Sequence, residues 1–383
     1  MIPYSRQEIT DDDIRAVEKV LRSDFLTQGP AVPEFERAVA VSCGVAHAVA
    51  TNSATSALHI ACMALGLGPG DRLWTSPITF VASANCGLYC GAQVDFVDID
   101  PETYNVSVEQ LAAKLEFAEK AGTLPKIVVP VHMCGQPCDM GAIHALGQRY
   151  GFRIIEDASH AIGASYLGEP VGNCRHSDIT VFSFHPVKII TTGEGGVAAT
   201  NDSELSWRMT MLRSHGITRE LDRMTEANPD PWVYEQQMLG FNYRMTDIQA
   251  ALGSSQMSRL TEYVARREAL AQQYDARLAQ LPVQLPKRAS SRSSAWHLYI
   301  VRVAGSDRLK IFTALRKAGI GVNVHYTPVH LQPYYRQLGF LPGQFPNSEA
   351  YGAEAITLPL HPGLSAADMD VVVATLAGAV QAG

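Results

Sequence analysis

The chain has 383 residues, 46% of them apolar, which is enough for a large buried core and for two or three domains. Its formal net charge of −7 and the lack of any dense Lys/Arg run exclude a basic nucleic-acid-binding face. The polar start MIPYSRQEIT has no apolar signal core, and the longest apolar run, 371–380, is far too short to cross a bilayer, so the chain reads as soluble and cytoplasmic.

Thr10 and Asp13 stand at capping-box spacing and open a helix to about Ser23, with Ile14, Val17, Val20 and Leu21 on one face. Leu26-Thr27-Gln28-Gly29-Pro30 breaks it, and a second helix spans 32–42. A short strand, 48–51, turns through Asn52-Ser53-Ala54-Thr55 into a helix bearing Leu58, Ala61, Cys62 and Leu65. The free N–H groups and positive dipole end of that helix, with the Ser53 and Thr55 hydroxyls, can hold a phosphate; an ordinary N-cap is the plainer reading of the same residues. A strand end at 75–80 leads into a helix from Ala82. Strands at 94–99 and 126–132 follow, with an amphipathic helix, 109–120, between them. A helix over 139–151 ends on glycine, and the run FRIIEDA, 152–158, closes on Asp157 and Ala158.

Seven scattered cysteines do not make the framework of a secreted disulfide protein. Cys134 and Cys138 lie near His132, but the spacing is wrong for paired zinc clusters and Gly135-Gln136-Pro137 looks like a turn, so no structural metal is expected.

The most informative stretch is VFSFHPVKIITTGEGGV, 181–197. It holds Lys188 on a strand-like, mostly uncharged segment before a Thr/Gly-rich turn. Buried lysines are rare unless paired. A lysine able to form a Schiff base, with an acid such as Asp157 to face a pyridinium nitrogen, is the working pair of a pyridoxal-phosphate (PLP) enzyme. Apolar strands separated by helices predict a mainly parallel sheet covered on both faces, with its ligand beyond the carboxyl ends of the strands. The Ser53 turn, Phe80 and Asp157 all fall near such ends.

Beyond this, 215–237 is polar, carries Pro229 and Pro231, and reads as a mobile surface excursion. Thr246 and Gln249 cap one long helix reaching about Leu281, with Leu260, Val264, Ala271, Tyr274 and Leu278 at helical spacing. A Pro- and Ser/Arg-rich link leads to strand 296–303, helix 307–318, strand 320–326, a loop, and a final helix capped by Ser365 and Asp368. The expected division is a large domain, 1–255, whose N-terminal segment adds to the substrate site, and a small α/β domain, 256–383, led by the long helix.

SATSALHIA, TSPITFVASAN, EDASHAIG, SFHPVKIITTGEGG, RSHG, GFNYRMTDIQAALG and VHYTPVHLQPYY occur in this order. Together they resemble the DegT/DnrJ/EryC1/StrS family of PLP-dependent nucleotide-sugar aminotransferases, nearly end to end. The resemblance implies fold type I: a seven-stranded, mainly parallel sheet under helices, with a smaller C-terminal α/β domain. It implies that Lys188 carries the cofactor, Asp157 pairs with its ring nitrogen, Phe80 lies on one ring face and His160 on the other. Ser53, Ala54, Thr55 and Ser183 would surround the phosphate, and Asn242 would reach the site from the second subunit of a homodimer. Sugar-nucleotide contacts map onto Tyr4, Phe25, Leu26, Thr27, Asn323, His325 and Tyr326. VHYTPVHLQPYY and FNYRMTDIQAALG are most similar to the pseudaminic-acid branch, which aminates C4 of a UDP-linked 4-keto-6-deoxy-N-acetylhexosamine with an amino-acid donor, by analogy glutamate. Amination at another sugar position, a dTDP or GDP sugar, and a non-catalytic PLP-binding regulator are the rival readings. Relatives that are dehydratases replace the lysine with histidine, which Lys188 argues against. Neither G-x-G-x-x-G after a strand nor a Walker motif is present, which disfavours nicotinamide and ATP enzymes.

Overall fold

The structure, a computed structural model, describes residues 1–226, 230–304 and 307–381. Helix α1 (Asp11–Leu21) starts as its spacing predicts, with Asp13 N–H donating to Thr10 Oγ1 and Thr10 N–H to Asp13 Oδ2. Its apolar residues are at most partly buried, with Ala16 and Val20 packed against the core. Ile14 is 56% and Leu21 57% exposed, whereas Asp13 is 1% exposed. Donors from Ser255, Gln256 and Arg259 draw the Asp13 carboxylate inward, and this paired charge sets the rotation of the helix.

Helix α2 (Ala31–Cys43) leads to β1 (His47–Thr51), α3 (Ala54–Ala64), β2 (Arg72–Thr75), β3 (Gln93–Phe96), β4 (Ile127–Val129) and β5 (Arg153–Asp157). A small hairpin, β6 (Ser165–Tyr166) and β7 (Glu169–Pro170), precedes β8 (Ile179–Ser183) and β9 (Gly196–Thr200). Seven of these strands form one sheet in the order β1-β9-β8-β5-β4-β2-β3. Only β9 runs against the rest, pairing antiparallel with both β1 and β8. Along β9, Val197 and Ala199 enter one core and Ala198 the other, so the sheet is buried on both faces as its apolar runs predict. The strands are shorter than those runs: 94–99 and 126–132 supply three strand residues each, and the remaining apolar side chains continue into buried loops.

The expected single helix from 246 to 281 is two, Asp247–Met257 and Leu260–Leu278. Its capping box forms, but Ser258 turns its hydroxyl onto the Ser255 carbonyl at 2.7 Å, and Arg259 leaves the helical track to reach Asp13. Such side-chain insertion is a recognised cause of helix breaks. The second helix packs with Arg308–Lys317 and Ala366–Gln381 against an antiparallel pair, Tyr299–Arg302 with Ala355–Leu358. Ser365 caps the last helix through Asp368 N–H, as expected. The strand expected at 320–326 reduces to isolated bridges, Ile2 with Ile320 and Asn323 with Thr357. Val324 N–H is captured by the Asn323 side chain, which ends the ladder there. In the 215–237 excursion, Ile217–Thr218 pairs with Glu235–Gln236; Pro229 lies outside the described residues.

Candidate active site

The carboxyl ends of β1, β8 and β5 converge because of their register. Thr51 and Ser183 both stand opposite Gly196 of β9, and Asp157 stands opposite Val181. A Cβ on Gly196 would lie 2.4 Å from Ala54 N, so only glycine lets the start of α3 rest on β9. Above these ends opens a cavity of about 990 Å³.

Lys188 enters the cavity from the turn between β8 and β9, not from a strand as its apolar flanks suggest. The chain folds back there, with Lys188 N–H donating to His185 O and Thr192 N–H to Phe184 O. Ser5 Oγ, in the N-terminal segment, donates to Val187 O at 2.8 Å and pins the turn. The Lys188 amine makes no hydrogen bond or ion pair among the described residues. Burial pushes its pKa down to about 8, against the opposing pull of Asp157. It is therefore a half-buried amine that gives up its proton near pH 8, well below the ordinary lysine range.

Asp157 is 5% exposed and accepts from Ser83 Oγ at 2.6 Å and Ser159 N–H at 3.1 Å. These bonds aim the carboxylate without saturating it, since a carboxylate can accept about four. Ser53 is an N-cap, accepting from Ser56 N–H at 3.1 Å. The backbone N–H groups of Ala54 and Thr55 find no partner among the described residues and face the cavity at the positive end of α3. Ser183 lines the same wall.

The opposite wall is aromatic. Phe80, 60% exposed, stands at the rim with its ring 6.4 Å from that of Tyr326. Tyr326 OH is 3.3 Å from His160 Nε2. Tyr4 packs its ring 5.3 Å from His325, whose Nδ1 is 2.8 Å from Thr357 Oγ1. Asn323 lies 3.4 Å from the other ring nitrogen. Burial beside Lys188 holds His325 down at about 4 and His160 well below the usual imidazole range.

Twelve of the sixteen expected site residues line this one cavity; Phe25, Leu26, Thr27 and Asn242 do not. The 25–27 turn is tied to the helix at Asp247, whose N–H donates to Leu26 O. Asn242 is exposed, bridged to Ser214, and outside the cavity of its own chain. Sequence reasoning missed Asn52, His185 and Glu194 on the wall, and Ser83 behind it. Gln249, read only as a helix cap, also lines the mouth and donates to Glu194 O. Ser83 gave no signal, because a serine in the first turn of a helix, here Ala82–Tyr89, is unremarkable until its partner is known.

The residues fit PLP. An unpartnered amine, an aimed carboxylate and two free N–H groups at a helix start match the aldehyde, ring nitrogen and phosphate. Comparison with known proteins agrees. The model of the DegT/DnrJ/EryC1/StrS aminotransferase family matches residues 7–377. The spore coat polysaccharide biosynthesis protein SpsC of Bacillus subtilis (strain 168) is 40% identical over 379 residues, covering 97% of this chain and 95% of SpsC. Helicobacter pylori PseC, an aminotransferase involved in the biosynthesis of pseudoaminic acid, is 31% identical, with a TM-score of 0.91 over 100% of both chains. Spr1654 of Streptococcus pneumoniae, assigned as a sugar aminotransferase and solved in its PMP form, is 31% identical, with a TM-score of 0.90 over 100% of both chains.

Proposed function

The chain belongs to the DegT/DnrJ/EryC1/StrS aminotransferase family, and from that premise we propose that it aminates the C4 ketone of a UDP-linked 4-keto-6-deoxy-N-acetylhexosamine. It is a PLP-dependent sugar aminotransferase. The proposal adds the sugar, the nucleotide, an amino-acid donor (L-glutamate) and the part played by each residue. End-to-end likeness to PseC is the observation that carries it.

Bound PLP supplies a carbonyl that accepts an amino group and a ring that accepts electrons. Lys188 binds the cofactor and, once released, moves a proton at Nζ; its lowered pKa leaves much of it neutral near pH 8. Asp157, aimed by Ser83 and Ser159, faces the ring nitrogen. Ala54 and Thr55 N–H groups, with Ser53 and Ser183, hold the phosphate. Phe80 and His160 cover the two ring faces and keep water out. Tyr4, Asn323, His325 and Tyr326 receive the sugar nucleotide. Residues 1–255 carry the cofactor, and 256–383 form the smaller unit that supplies part of the wall.

No arginine lines the cavity among the described residues, although a diphosphate and a dicarboxylic donor both favour one. That supports a homodimer in which a second copy completes the site, with Asn242 and the 25–27 turn serving there. Among the described residues no helix is long and apolar enough to cross a membrane, which supports a cytoplasmic enzyme. The test is a single-turnover panel. The amino-loaded enzyme is mixed with UDP-, dTDP- and GDP-linked keto sugars, and the return of the aldehyde absorbance is followed with product analysis. Turnover of the UDP-4-keto sugar is expected; a product aminated at another carbon, or response only to dTDP or GDP sugars, would contradict the reading.

A further inference from the structure

Behind His160 lies a residue that no reading of the sequence singled out. His297 is 2% exposed and lies just before Tyr299–Arg302. Its ring is tilted 42° against that of His160, with centroids 4.4 Å apart. In both rings Nδ1 is buried and has no hydrogen-bond partner among the described residues. The outer nitrogen of His160 is taken by Tyr326 OH at 3.3 Å.

The chain is shaped to allow this contact. Gly135, at φ +103°, lies between the two segments, and a Cβ there would stand 2.8 Å from His160 O and 2.9 Å from Trp296 N. Ala295 N–H and Leu298 N–H donate to Gly135 O and Cys134 O, stitching the His297 segment to that turn. Arg267, itself buried, donates to the carbonyls of Trp296 and His297 and fixes the backbone from the other side.

We propose that His297 is a positioning residue: by covering His160 it keeps water from the inner nitrogen and holds that ring uncharged, so the Asp157 carboxylate is left to the cofactor. The inference rests on the PLP assignment for its purpose but not for its geometry. An imidazolium three residues from Asp157 would compete with a cationic cofactor ring for the carboxylate. The groups that face His160 favour neutrality. Lys188 from the β8–β9 turn, His325 from the 323–326 segment and His297 itself are bases whose charges oppose a further one. Arg267 adds a cation behind His297. Asp157 is the acid on the same strand end, Tyr326 lies in front, and the Cys134 thiol flanks Tyr326. Burial is the largest influence on both imidazoles, so admitting water should restore titration.

The test uses full-length protein labelled at histidine carbon Cε1, with and without PLP, followed by NMR against pH. The His160 signal is assigned by its loss in His160→Gln. In the unsubstituted protein it is expected not to move between about pH 5.5 and about pH 8. In His297→Ala it is expected to titrate near the ordinary imidazole value, about 6.5. His297→Phe, which keeps the cover without a nitrogen, should again leave it still. In the loaded enzyme, His297→Ala should add a step near pH ~6.5 to the titration of cofactor absorbance. A His160 signal that titrates normally in the unsubstituted protein overturns the proposal, as does one that stays silent in His297→Ala. Titration in His297→Phe also overturns it, because cover alone would not suffice. If His297→Ala fails to fold, His297→Asn opens the same face and is read by the same criteria. Failure of PLP to bind would sink the PLP assignment while leaving the PLP-free titration to judge His297.

Discussion

Among the four buried aspartates of the described residues, Asp13 and Asp157 are buried for different ends. Asp13 accepts from Thr10 N–H, Ser255, Gln256 and Arg259, so no lone pair is left over for a ligand. Hydrogen bonding outweighs burial and holds its pKa below the usual carboxylate range. Asp157 has two partners and faces open space. The basic residues divide in the same way. Arg267 gives its buried Nη1 to three backbone carbonyls, leaving Nε without a partner, while the whole Lys188 amine has none among the described residues. A saturated buried charge organises a fold; an unsaturated one beside a cavity is available for chemistry.

Substitutions should separate the two regions. Lys188→Ala should remove the visible absorbance of the lysine-bound cofactor and lower turnover by about 10⁴-fold or more, because nucleophile and proton carrier go together. Melting temperature measured without cofactor should hold or rise. An active, coloured Lys188→Ala protein would merge the two regions again. Asp157→Asn keeps shape but loses charge, and kcat should fall about 10²–10³-fold with weaker cofactor retention, as for other lost electrostatic contacts. Its mirror is Asp13→Ala, which strands Arg259. Unfolding free energy should fall by about 3 kcal/mol, with kcat per folded molecule unchanged. The Asp13 contribution is present above the unfolded carboxylate pKa and is lost as pH falls through the lower folded value, so acid unfolding should begin at higher pH in the variant.

A milder probe is pH. The half-reaction of the amino-loaded enzyme should slow about tenfold per unit below about pH 8, where Lys188 becomes protonated, and level off above it. The slope of stability with pH has the same sign as that of Asp13, but lies in the alkaline window and reflects a charge penalised by burial rather than one held by partners. The folded pKa of Lys188 lies below its ordinary 10.5, so between about 8 and 10.5 the unfolded chain binds more protons and stability without cofactor rises with pH. Lys188→Met should flatten that rise in urea titrations. The smallest effect expected is Thr246→Ala, about 1 kcal/mol from loss of a cap, with no change in the cofactor spectrum.

Much of this was legible in the residues. Apolar runs separated by capped helices exposed the mainly parallel sheet and put the Ser53 turn, Phe80 and Asp157 near strand ends; the register that joins β1, β8 and β5 came only with the structure. Lys188 and Asp157 stood out because a lysine amid apolar neighbours needs a reason. The helix break at Ser258 and Arg259 was not legible, because its cause is Asp13, more than two hundred residues away. For the same reason the inward turn of Asp13 on α1 was not legible: periodicity reports hydrophobicity and is blind to a distant ion pair. Ser83 and His297 were hidden because each acts on a neighbour that the chain supplies only after folding. Phe25, Leu26, Thr27 and Asn242 were visible through family motifs alone, and one chain by itself does not bring them to the cavity.

The most direct test of the central claim is to reduce the PLP-loaded protein with borohydride and map its peptides by mass spectrometry. A pyridoxyl group on the peptide containing Lys188, and absent from Lys188→Ala, is the result expected. Labelling of another lysine in the unsubstituted protein, with Lys188 unmodified, would contradict the account.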